Sequence, residues 1–163
     1  MSATVFMMRS CILWASLLLY CGCSYKEYAP SKGKIITIKT DTLRFNDLGY
    51  VRPGEHGVEV ALFSAGQVVE TFTIEENICI RKGCLSTEAF YATYLHVNYP
   101  KETLKHVFRG EPIFNKRNLE QDSGGFKQYI QTAEYNIVYK VENGTIYFKD
   151  SKHNVFIKIR EIE

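Results

Sequence analysis

Residues 139–159 read YKVENGTIYFKDSKHNVFIKI, and this stretch decides the fold class of the chain. Its centre, Asn143-Gly144, is a pair favoured in two-residue β-hairpin turns, because both positions need a positive φ. Apolar and polar residues alternate on either side, as in strands with one buried face. We therefore expect residues 126–141, 145–149 and 155–162 to form the three strands of an antiparallel meander.

The N-terminal half carries the same alternation in shorter runs. Residues 35–38 and 42–45 are brief strand candidates, whereas residues 46–57 contain enough Gly, Pro and Asp to predict turns. Residues 58–63 and 67–74 alternate again around a Ser-Ala-Gly connection, which predicts a hairpin.

Between these two groups of strands the apolar period becomes helical. Ser86 suits a helix N-cap, and Glu88 suits the first turn. Pro100 is typical of a helix start and Gly110 of a helix end. The residues that predict the buried faces of the two helices are Phe90, Tyr91, Tyr94, Leu95, Leu104, Val107 and Phe108.

Strands, two helices and again strands indicate an α+β protein. We expect a curved antiparallel sheet, with an open barrel as one form of it, and two short helices inserted mid-chain. Residues 115–125 predict a polar loop between the helices and the last strands.

The N-terminus has the pattern of a secretory signal. Arg9 precedes the run Cys11 to Tyr20, CILWASLLLY, which has the length of a signal's apolar region. A membrane-spanning helix needs about 20 apolar residues, so this run is short for one. Translation could start at Met1, Met7 or Met8.

Residues 19–24, LYCGCS, resemble the lipobox of bacterial lipoproteins, in which a small residue and Gly precede the modified Cys. The resemblance implies a signal peptide over residues 1–22 and lipid attached to Cys23. Residues 25–34 are polar and contain Pro and Gly, so we expect residues 23–34 to form a lipidated tether and residues 35–163 to form one α+β domain. An ordinary cleaved signal and an uncleaved anchor remain alternatives. Ser24 in place of Asp favours the outer membrane, with the domain in the periplasm or on the cell surface.

Cys79 and Cys84 remain after the signal and the acylated Cys23 are set aside. In an oxidising compartment a disulfide across a hairpin is the expected state. The closed loop is short, so the chain-entropy model gives a stabilisation of about 2 kcal/mol.

The sequence contains no recognisable catalytic or metal-binding motif. Its four histidines do not pair at metal-ligand spacing, and no nucleophile elbow, zincin motif or phosphate loop occurs. The absence of a basic block argues against nucleic acid. We expect no enzyme activity, no cofactor and no metal.

The short chain, the order of strands, helices and strands, and residues 139–159 together resemble small uncharacterised lipoproteins of epsilon-proteobacteria such as Helicobacter and Campylobacter, over most of the mature chain. The order of elements is also similar to the lipoprotein carriers and acceptors of the LolA and LolB type, in which helices cover an open barrel. Two hypotheses follow. The first is a lipid-anchored, non-enzymatic protein with a structural or envelope-assembly role, which could contact other envelope proteins. The second is a carrier or acceptor of acylated cargo, with an apolar cavity beneath the helices.

Overall fold

The computed structural model describes residues 31–162, and they form one antiparallel sheet of eleven strands with short helices on one face. The signal segment, Cys23 and the tether up to residue 30 lie outside the described residues. The strands are β1 Lys34–Lys39, β2 Arg44–Pro53, β3 Val58–Ser64, β4 Gln67–Ile74, β5 Asn77–Ile80, β6 Gly83–Ser86, β7 Leu119–Asp122, β8 Gly125–Gln131, β9 Asn136–Glu142, β10 Thr145–Asp150 and β11 Val155–Glu161.

The sheet consists of two meanders joined through the strands at the two ends of the described chain. Strands β1 to β6 run outward in one direction and β11 to β7 in the other, because β1 pairs with both β2 and β11. The edges are therefore β6 and β7, and the sheet is curved and open. This confirms the expected α+β class with a curved antiparallel sheet.

Residues 87–118 connect one edge of the sheet to the other, so they must cross its inner face. This segment contains α1 Thr87–Phe90, a π-helical turn Tyr91–Leu95, α2 Thr103–Arg109 and a 3-10 turn Phe114–Lys116. The Ser86 Oγ accepts a hydrogen bond from the Ala89 N–H at 3.2 Å, as its N-cap position predicts. Gly110 ends α2 in the left-handed conformation, with φ of 69°.

Two hairpin predictions are confirmed in detail. Asn143 and Gly144 have φ of 46° and 73° and connect β9 to β10. Ala65 and Gly66 connect β3 to β4 with φ of 50° and 80°.

The prediction of turns over residues 46–57 is wrong for most of that range, because β2 continues to Pro53. Gly49 explains the strand. A Cβ there would lie 2.4 Å from the Ile36 Cδ1 atom and 2.9 Å from the Ala61 carbonyl oxygen. A larger residue at position 49 would clash with Ile36, so glycine is needed there for Ile36 to pack over β2.

Two expectations for the region after the helices are also wrong. The polar loop over residues 115–125 contains the edge strand β7, in which every residue after Leu119 is polar and exposed, so no apolar alternation marks it. The single strand over residues 126–141 is two strands, β8 and β9. The Thr132 Oγ1 accepts hydrogen bonds from the Glu134 and Tyr135 N–H groups and so forms the turn between them.

Candidate functional site

An apolar cavity of about 400 Å³ lies between the helical segment and the inner face of the N-terminal half of the sheet. Binding pockets for small molecules typically enclose about 300–1,000 Å³. Strands β1 to β5 and β11 supply the sheet side, and the helices supply the cover. The apolar residues lining it are Ile38, Leu43, Phe45, Leu62, Val69, Phe72, Ile74, Ile78, Ile80, Phe90, Tyr94, Leu95, Leu104, Phe108, Val155 and Ile157.

Five of the seven helical residues that the sequence selected line this cavity: Phe90, Tyr94, Leu95, Leu104 and Phe108. The Phe90 ring lies 4.8 Å from the Tyr94 ring and meets the Phe72 ring edge-on at 6.5 Å. These three rings join the helical cover to the sheet wall.

Tyr91 and Val107, the other two, are fully buried in the core and do not line the cavity. The Tyr91 hydroxyl donates to the Lys101 carbonyl at 2.9 Å and accepts from the Leu104 N–H at 3.1 Å. The pKa of the Tyr91 hydroxyl is raised above its ordinary value, and burial is the largest cause of that shift. Tyr91 therefore holds the start of α2 in place.

The other half of the inner face is filled by large side chains. Tyr99, Tyr139 and Phe148 pack edge-on, with Tyr99 and Tyr139 each about 6 Å from Phe148 by ring centroid. Gln128 is fully buried, and its amide exchanges hydrogen bonds with both backbone groups of Ile113 at 2.8 and 3.0 Å. These contacts fix the end of the helical segment against β8, and none of these residues lines the cavity.

The edge of the cavity combines polar and charged groups. Arg44, Lys82 and the exposed Val69 contribute to the lining, so the cavity reaches solvent there. Glu70 also lies at this edge, and its Oε1 accepts from the Thr71 and Arg81 N–H groups at 3.0 Å each. The Thr42 hydroxyl donates to the Tyr94 carbonyl at 3.0 Å, linking the edge to the cover.

A disulfide closes the hairpin that forms the far wall of the cavity. Cys79 and Cys84 are directly opposite each other on β5 and β6 and are bonded, with their Cα atoms 3.9 Å apart. Side chains alternate along the strand, so Ile78 and Ile80 line the cavity while Cys79 lies on the opposite face. The predicted pair is thus present, and it constrains a strand that supplies cavity wall.

Asp150 is a buried ionisable group that lies outside the cavity. It is fully buried, and its carboxylate accepts from the Tyr99 hydroxyl and the His153 Nδ1 at 2.8 Å and from the Lys152 N–H at 3.0 Å. Burial alone would raise the pKa of Asp150, but the hydrogen bonds, led by that of His153, outweigh it and lower the pKa. This cluster ties the β10–β11 loop to Tyr99 in the helical segment, which is a structural role.

Within residues 31–162, no group of three or more His, Cys, Asp or Glu side chains is placed to hold a metal ion. A helix long and apolar enough to cross a bilayer is likewise missing from this part of the chain. A scan against protein-family models finds no match, and searches of curated proteins and of solved structures find none either.

The helical half of the cavity follows from sequence reasoning, but the sheet half does not. Phe45, Phe72 and Ile80 lie on strands where the signal is one apolar residue in every two. That pattern assigns a buried face, but a filled core and an open cavity use the same residues.

Proposed function

We propose that this protein is a carrier or acceptor of acylated cargo and that the acyl chain occupies the cavity between the sheet and the helices. The observation that carries the proposal is the apolar volume of about 400 Å³ under the helices, beside a core in which Tyr99, Tyr139 and Phe148 are closely packed. Protein interiors are normally close-packed. A space of this size, reaching solvent at one edge, fits a ligand better than a packing fault.

The chemistry of the lining favours a flexible hydrocarbon chain. Most of the lining is aliphatic or aromatic, with polar groups gathered at the edge that Arg44 and Lys82 share. Burial of about ten methylenes contributes roughly 8 kcal/mol, at about 0.8 kcal/mol each, before the cost of ordering the chain. Micromolar affinity corresponds to about 8 kcal/mol, so we expect dissociation constants in that range or weaker.

The cellular setting is part of the same proposal. The signal over residues 1–22 would direct export of the protein, and lipid on Cys23 would hold the domain at the outer membrane, where acylated molecules are inserted. Residues 31–162 contain eleven paired strands and a hydrophobic core. A chain that starts at Ser24 therefore keeps the whole fold while lacking the anchor, which makes it the right material for binding experiments.

The test is titration of this chain with a fluorescent fatty acid and, separately, with a lipopeptide. We expect saturable binding to the wild-type protein. Tyr94→Glu should weaken it about tenfold or more, because a carboxylate beside Phe90 must be desolvated when the acyl chain of the probe enters the cavity. Tyr129→Glu is the matched control, since it makes the same change at an exposed site that does not line the cavity.

Circular dichroism and urea unfolding would check that both variants keep the fold. Saturation should also raise the thermal midpoint of the wild-type chain, by mass action on the folded state. The absence of saturable binding by either probe would refute the carrier proposal and leave the structural or envelope-assembly role standing.

A further inference from the structure

The face of the sheet opposite the helices carries a concentration of cations over five adjacent strands, β2, β1, β11, β10 and β9. On β1 and β11, Ile36, Ile38, Ile157 and Ile159 are buried on the inner face, so the alternate residues project outward. The same alternation applies to β2, β9 and β10. Six cationic residues share this surface, which we call the outer basic face: Lys39, Arg44, Lys140, Lys149, Lys158 and Arg160.

Strand register brings these residues side by side. Lys39 is directly opposite Arg44 on β2 and Phe156 on β11, and Phe156 is directly opposite Lys149 on β10. Directly opposed residues lie on the same face. Neighbouring strands are about 4.8 Å apart, so this row of four residues spans only about 14 Å.

A second row runs parallel to the first. Tyr147 on β10 is directly opposite Lys158 on β11 and Lys140 on β9. The Tyr147 and Phe156 rings pack edge-on at 5.4 Å and link the two rows. Two aromatic rings therefore lie among the six cations.

The cations of the outer basic face have no carboxylate partners within residues 31–162. Glu142 also projects from this face of β9 but pairs with Lys127 at 2.9 Å, and Glu59 on β3 pairs with Arg52. The whole chain has a formal net charge of only +2. The positive charge of this face therefore arises because basic and acidic residues are unevenly distributed over the surface. Like charges so close together repel one another unless an anionic surface lies opposite them.

We propose that the outer basic face docks the domain on a bilayer that carries anionic phospholipid head groups. Lysine and arginine beside aromatic rings are the composition of protein surfaces that lie at bilayer head groups. The chain from Cys23 to Ser31 spans at most about 28 Å when extended, so a lipid on Cys23 would keep this face within reach of a bilayer. The cavity lies on the inner face, and Arg44, at the start of β2, is the one member of the outer basic face that also reaches the cavity edge, so docking leaves the rest of the lining uncovered.

The test uses the chain from Ser24, which has no lipid anchor, and sedimentation with two kinds of vesicle. One is phosphatidylglycerol mixed with phosphatidylcholine, and the other is phosphatidylcholine alone. We expect binding to the anionic vesicles only. It should weaken as salt rises from about 0.01 M to 0.15 M, because the Debye length falls from roughly 30 to 8 Å.

The diagnostic variant replaces Lys39, Lys149 and Lys158 together by Gln. Each lysine near an anionic surface contributes about fivefold in affinity, so we expect a loss of about tenfold or more. The matched control replaces Lys101, Lys116 and Arg117, all exposed in the helical segment, by Gln. It removes the same charge from the other side of the sheet and should bind as the wild-type chain does.

Equal losses in the two triple variants would overturn the proposal, since net charge rather than the outer basic face would then govern binding. Absence of sedimentation with anionic vesicles at low salt would overturn it as well. Binding to poly-glutamate through the same three lysines, without binding to vesicles, would reassign the face to an acidic protein partner. None of these outcomes bears on cavity binding, which the fatty-acid titration measures separately.

Discussion

At the scale of single residues, Asp150 shows how one buried charge can hold two distant parts of the chain together. Its carboxylate binds Tyr99, 51 residues away in sequence, as well as His153 in its own loop. The Asn136 and Lys152 N–H groups also donate hydrogen bonds to this carboxylate. A buried carboxylate is stable only when its hydrogen bonds are satisfied in this way.

We expect Asp150→Asn to lower the free energy of unfolding by about 1–3 kcal/mol at pH 7, because a neutral amide replaces a carboxylate that accepts four hydrogen bonds. The pKa of Asp150 is lower in the folded chain than its ordinary value, so its ionised form contributes stability above the unfolded pKa of about 3.9. That contribution is lost as pH falls through the folded pKa.

The difference between wild type and variant should therefore shrink in acid. Urea unfolding of both chains at pH 7 and below pH 4 measures it. Asp41→Asn, in an exposed turn, is the control and should change little. A penalty for Asp150→Asn that stayed constant with pH would show that the charge of the carboxylate plays no part.

At the scale of elements, the β5–β6 hairpin is a short edge hairpin that must nevertheless form cavity wall. Each of its strands has only four residues, and β5 pairs with β4 over two positions. The Cys79–Cys84 disulfide compensates for this limited pairing by restricting the unfolded chain.

We expect the double variant Cys79→Ser and Cys84→Ser to lower the free energy of unfolding by about 2 kcal/mol while the chain still folds. Fatty-acid affinity should fall with it, since Ile78 and Ile80 lose their constraint. Urea unfolding with and without dithiothreitol provides the measurement. The reductant should destabilise the wild-type chain and leave the double variant unchanged; free thiols in native protein would contradict the assignment.

At the scale of the whole molecule, the proposed anchor, cavity and outer basic face act on the same domain. The anchor is testable in cells. Cys23→Ala should abolish incorporation of labelled fatty acid and move the protein out of the membrane fraction, because the acyl chains supply the membrane affinity. Cys21→Ala, the matched control, should leave labelling intact. Continued labelling of the Cys23 variant would rule out this site of lipidation.

The global connection of the sheet explains why the helices lie where they do. β1 and β11 pair along six positions although more than a hundred residues separate them, and this pairing places β6 and β7 at opposite edges. The segment between those edges must then cross the inner face. Its apolar side chains are buried as a consequence of this topology.

The sequence alone determined the local features. Alternation set which side of most strands is buried, Asn143-Gly144 and Ala65-Gly66 set two hairpins, and Ser86 and Gly110 set helix ends. These signals are strong because they depend on backbone conformation and on neighbours within a few residues. The local patterns gave wrong predictions at two strands. At β2, Gly49 predicts a turn, but it is required because Ile36 occupies the space of a side chain; at β7, the mostly polar sequence shows no alternation.

Only the tertiary structure decided which strands are neighbours, which part of the inner face is filled and which cations gather outside. The seven helical residues chosen from sequence form one apolar stripe, yet five line a cavity and two complete the core. Lys39 and Lys149 belong to one surface only because β1, β11 and β10 are adjacent. Burial pattern is a property of each strand, whereas the cavity and the basic face are properties of how distant strands are paired.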